Sequence, residues 1–112
     1  MASSFDGVLD EIKDDSVKAA KDQLQSLLQQ AKADSSAFAR KNAASLEEWI
    51  VELRNGDLDQ EEFNELIEAQ RAAAEQFVNT QAIAGQARAR ELTLTVLDIA
   101  VKKIAPVVIA AI

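Results

Sequence analysis

The stretch Arg54-Asn55-Gly56-Asp57-Leu58-Asp59-Gln60-Glu61-Glu62-Phe63 decides the fold, because several independent rules of helix termination and initiation converge on it. Gly56 suits the left-handed position just past a helix, where a side chain would clash with its own backbone. Asp59 suits the N-cap of the next helix, and Glu62 stands at the third helical position, from which its carboxylate can reach back to the cap amide. Leu58 before the cap and Phe63 four positions after it form a hydrophobic staple, while Glu61 and Glu62 complement the positive end of the helix dipole. A tight turn at 55–59 between two antiparallel helices follows.

Outward from the turn, apolar residues recur at helical spacing on both sides. Ala39, Ala43, Leu46, Ile50 and Leu53 make an unbroken four-three-four-three series before it. Phe63, Leu66, Ile67, Gln70, Ala73, Ala74, Phe77 and Val78 form a further helical stripe after it. Phe5, Leu9 and Ile12 begin an earlier stripe that Leu24, Leu27, Leu28 and Ala31 extend. No strand-like alternation of useful length occurs, and the chain reads as all-α. Asp34-Ser35-Ser36 and the region of Asn79-Thr80-Gln81 and Gly85 supply softer breaks, whereas Ser45-Leu46-Glu47-Glu48 is a capping-box match inside a continuous stripe. Pro106 should end or kink the last helix. Four helices over about 5–33, 36–55, 60–83 and 86–105 are therefore expected in one domain, residues 1–112. The weak points at 34–36 and 79–81 lie nearly equidistant from the central turn. That symmetry fits a four-helix bundle. It also fits one long hairpin with arms of ~75 Å at 1.5 Å per residue.

Composition sets the bounds on function. The chain has 112 residues, 48% of them hydrophobic and 28% charged, an ordinary balance for one globular domain. It contains no Cys, no His and no Tyr. Disulfides, thiol nucleophiles, zinc fingers, the Ser-His-Asp triad and the Glu-x-x-His di-iron site are thereby excluded. No Gly-rich phosphate loop or dinucleotide fingerprint is present, so the expectation is a non-enzyme without cofactor or metal. The net charge of −7 is uneven: residues 57–84 carry one basic and seven acidic side chains, residues 85–112 four basic and two acidic. Such a field repels nucleic acid. With no leader-like apolar run behind a positive start, the cytoplasm is the expected compartment.

Two clusters carry a chemical reading beside a plainer one. Asn55, Gly56, Asp57, Leu58, Asp59 and Glu62 resemble the second half of a calcium-binding EF-hand loop. That family's first and third ligand positions fall here on Val51 and Leu53, which have no oxygen to offer. A capped helix turn explains all six residues. Glu48 and Glu52, like Glu61 and Glu65, are four apart on one helix face and read as a solvated acidic surface.

The C-terminal stretch holds the candidate interface. Leu92, Leu94, Val96, Leu97, Ile99, Val101, Ile104, Val108, Ile109 and Ile112 surround a narrow polar stripe of Glu91, Thr95, Asp98 and Lys102, with Asp98 and Lys102 spaced for an i,i+4 pair. An outer helix of a monomeric bundle needs only a ~100° apolar face, and this one offers more. Asp98, Lys102 and Lys103 interrupt it too often for a membrane span. The expected function is a structural or interaction module that self-associates or binds a helical protein partner through this segment. The alternative is a peripheral membrane or lipid-interacting protein using the same segment.

Overall fold

A computed structural model describes residues 5–13, 15–34, 36–79 and 84–111. The chain is a helical bundle, and no strand occurs among the described residues. Its elements are α1 (Phe5–Glu11), a 3-10 turn (Asp15–Val17), α2 (Lys18–Lys32), α3 (Ala37–Asn55), α4 (Gln60–Asn79), α5 (Ala84–Ile99), a π-helical turn (Ala100–Ile104) and α6 (Ala105–Ala111). The molecule measures 42 × 25 × 22 Å. Arms of 75 Å do not fit in that envelope, so the bundle, not the long hairpin, is the architecture.

The central turn forms as its residues dictate. Gly56 has φ +82°. Its amide donates to Leu53 O and the Asp57 amide to Glu52 O, the paired bonds of a Schellman cap. The Asp59 carboxylate then accepts from the Glu62 amide at 2.7 Å, and the Glu62 carboxylate accepts from the Asp59 amide at 3.0 Å. Both halves of a capping box are made. An alanine Cβ at Gly56 would meet nothing within 4 Å, so Gly56→Ala tests the backbone conformation alone. It should destabilise by ~1 kcal/mol. Asp59→Ala, which removes a cap, should cost a similar ~1 kcal/mol. Urea midpoints equal to wild type in both variants would show that neither device holds the turn.

At the second break, the Ser36 hydroxyl accepts from the Ala39 amide and caps α3. The capping-box match at Ser45 lies inside uninterrupted α3. Two boundaries differ from the sequence reading. The single helix expected over 5–33 is two, α1 and α2, separated at Ile12 and Lys13. Lys21 Nζ donates to Ile12 O at 3.1 Å and satisfies a carbonyl that the interrupted helix leaves open. The break lets α1 fold onto α3, where Glu11 pairs with Arg54. The last helix, expected to stop near 105, runs past Pro106. Over Ala100–Ile104 it widens to π geometry, the Ala105 amide donating to Ala100 O five residues back. A wider turn relieves the clash a proline ring makes with the preceding turn, and Pro106 then serves as an early residue of α6. The expected helix end at 83 lies on residues 80–83, outside the described residues, and α5 begins at Ala84, two residues before the expected 86.

The core has two grades. The main cluster is made mostly of large side chains, among them Leu9, Leu24, Leu28, Leu46, Ile50, Leu53, Phe63, Ile67, Leu97 and Ile104, all buried, with Leu28 and Ala31 of α2 carrying it toward the end away from Gly56. At that end Ala39, Ala74 and Ala89 are buried outside the cluster, together with the polar Asn42 and Thr93. Asn42 Nδ2 donates to Gln70 Oε1 at 2.7 Å and links α3 to α4.

Candidate interaction surface

Helix α5 packs on α2, α3 and α4 alike, which makes it the central helix of the bundle. That placement divides the ten candidate interface residues. Val96, Leu97, Ile104 and Val108 are buried in the chain's own core and face no partner in this fold. Leu92, Ile99, Val101 and Ile109 are half-buried and pack against the margin of that core, and Leu94 is half-buried beside them. Ile112 lies outside the described residues. The excess of apolar surface on this segment is thus largely answered within the chain, since a helix with three neighbours buries more than one stripe.

The half-buried residues flank the polar stripe on both sides. At 100° per residue, Leu92 and Ile99 fall on one flank, Leu94 and Val101 on the other, and Glu91, Thr95 and Lys102 run exposed between them. Asp98 completes the stripe, but its partner is Arg71 of α4 at 2.6 Å rather than Lys102. The π turn begins between the two residues and changes their spacing, and the Arg71 guanidinium reaches across from the neighbouring helix. No ion pair of Lys102 or Lys103 occurs among the described residues.

Where α2 approaches α5, a shallow groove of about 280 Å³ is lined by Leu27, Leu92, Asp34, Arg88 and Glu91 among others. Asp34 organises this corner. Its carboxylate accepts from the Ser36 amide at 2.8 Å and from Arg88 at 2.9 Å, while its main-chain oxygen accepts from Arg40. The Asp34 side chain is only 7% exposed, against 62% for Arg88. The Ser36 hydrogen bond, and after it the Arg88 guanidinium, hold its carboxyl below the usual carboxylate range in spite of its burial. A depressed pKa means the folded chain binds the proton less well than the unfolded one. The stabilisation is therefore full above the unfolded value of about 3.9 and disappears as pH falls through the lower folded value. Asp34→Asn should accordingly lower the urea midpoint at pH 7, and the gap to wild type should close as the pH is brought below 4. A gap independent of pH would exclude the charge as its source.

A second depression, of about 840 Å³, follows the first turns of α4 past Asp59, Glu61, Asn64, Glu65 and Glu68. The four acids among these residues are exposed, and Asp59 is engaged in the cap. Among the described residues no group of three or more acids converges as a metal site would require. Of the large aromatics, Phe5 and Phe63 are core, Trp49 and Phe38 are half-buried, and the Phe77 side chain lies outside the described residues. Arg90 Nε and the Thr93 hydroxyl are buried without a hydrogen-bond partner among the described residues. No described helix is long and apolar enough to cross a membrane. Compared with known protein families, with curated proteins and with solved structures, the chain matches none.

Proposed function

We propose that this chain is a small acidic helical module whose task is to dock, onto a helical protein partner or another copy of itself, by the outer face of its C-terminal helix. One observation carries the reading. Leu92, Leu94, Ile99 and Val101 stay half-buried along both sides of one continuous helix, in the part of the chain where basic residues outnumber acidic ones. That basic excess lessens, in this part of an acidic molecule, the repulsion an acidic neighbour meets. The sequence, without Cys or His, offers no thiol or imidazole for catalysis, and a cysteine-free chain fits the reducing cytoplasm. A membrane surface is the second reading, favoured by exposed Lys102 and Lys103 directly before the apolar α6.

Light scattering of the full chain between ~10 and ~500 µM tests the docking reading, beside a Leu92→Gln/Val101→Gln variant shown by circular dichroism to fold. Mass rising above 12.2 kDa in wild type and not in the variant is the expected result. Mass equal in the two proteins, with co-sedimentation on anionic vesicles that Lys102→Gln/Lys103→Gln abolishes, would replace docking by the membrane reading.

A further inference from the structure

We infer that the occupant of this face is a second copy of the chain, with the two α5 helices crossing antiparallel about a two-fold axis between Thr95 and Asp98. The inference rests on the docking role proposed above and adds the partner and the register. In a two-fold antiparallel contact each residue meets the one at the mirrored position, so the helix must be complementary to its own reverse. This stretch is. Reversed about its midpoint, Glu91 falls opposite Lys102 and Thr95 opposite Asp98. The half-buried flanks match as well: the two-fold lays each flank against the same flank of the other copy, so Leu92 neighbours the second copy's Ile99 and Leu94 the second copy's Val101.

Glu91 and Lys102 are eleven residues apart, about three helical turns, and stand at the two ends of the polar stripe, Lys102 within the π turn. Both are exposed. Lys102 has no ion pair among the described residues, and the Glu91 carboxylate is paired there with its neighbour Arg90, at a long 3.4 Å. Two Glu91–Lys102 pairs, one at each end of the crossing, would therefore compete with no more than that long contact inside either subunit. Arg90 and Lys103 share the same mirror relation but leave the stripe on opposite sides, outside the line of contact.

Charge reversal tests the register. Lys102→Glu sets Glu91 against a glutamate twice per dimer, and Glu91→Lys sets two lysines together. Each variant alone should associate at least about tenfold more weakly than wild type by analytical ultracentrifugation. Glu91→Lys should do so although it lowers the net negative charge of the chain. Mixing the two variants places opposite charges at both ends again and should restore association. Lys103→Glu, off the stripe, should leave it no weaker. Equal loss with Lys103→Glu, or no restoration on mixing, would overturn the register. If Leu92→Gln/Val101→Gln still abolished association in that case, the docking face would stand and only its pairing would fall. Wild type at 12.2 kDa up to ~500 µM would overturn the second copy as occupant, and docking itself would then rest on a different protein. Association unchanged in every variant would overturn both.

Discussion

Phe63→Ala is expected to cost about 3–5 kcal/mol, the largest loss of any single truncation at the turn. Phe63 is fully buried among Leu53, Ile67 and the rest of the large-side-chain half of the core. It also stands at the staple position for Leu58, which packs against this cluster, so its removal should empty the core and loosen the entry to α4 together. A domain of this size holds a total stability of ~5–15 kcal/mol, and the variant should sit near the edge of folding. Trp49, the single tryptophan, is half-buried against the core and gives a fluorescence signal for the urea transition. A loss below ~1.5 kcal/mol would mean that this end of the core closes over the cavity, against the packing described.

Leu97→Ala should cost about 2.7–5 kcal/mol, while Leu94→Ala, three residues earlier on the same helix, should cost less than ~1.5 kcal/mol. The contrast measures the placement of α5. Leu97 is fully buried at the centre of the bundle, whereas Leu94 is half-buried at its margin, outside the main cluster. If α5 were instead an appended interface helix, both truncations would leave the unfolding free energy of dilute protein nearly unchanged and would act on association alone. Urea titrations at ~1 µM, where association is negligible, separate the two cases. Near-equal losses would show that α5 is not held in the orientation seen.

The polar, alanine-rich half of the core is the weaker grade. Small buried side chains contribute less transfer free energy, and the unpartnered hydroxyl of Thr93 subtracts from it. Local opening is therefore expected to begin at the end that holds Ala39, Ala74 and Ala89. The Gly56 end keeps its amides protected longest.

Much of this was legible in the residues because it is settled within a few positions of chain. The turn at 55–59 needs only a glycine free to take positive φ and an Asp-Glu pair three residues apart; both partners of each bond are near neighbours in sequence. The helical stripes through Leu46, Ile50 and Leu53 and through Phe63 and Ile67 follow from the 3.6-residue period, whichever helix lies opposite. Ser36 as a cap belongs to the same class.

What the tertiary structure decided depends on competition between distant segments. Ile12 ends α1 because folding back places Glu11 beside Arg54, and Lys21 supplies the donor the break requires. Asp14-Asp15-Ser16 was the available sign of a new helix start there, but the period continued on either side and concealed it. Pro106 is accommodated, not obeyed, because burial of Ile104, Ala105 and Val108 outweighs one widened turn. Asp98 turns to Arg71 because α4 brings a guanidinium to it across the bundle. Most of all, the amphipathic pattern of residues 92–109 showed how much apolar surface there was, not which side would face inward. That choice belongs to α2, α3 and α4 together, since a residue's burial is set by every helix that reaches it, and periodicity along one segment records none of the others.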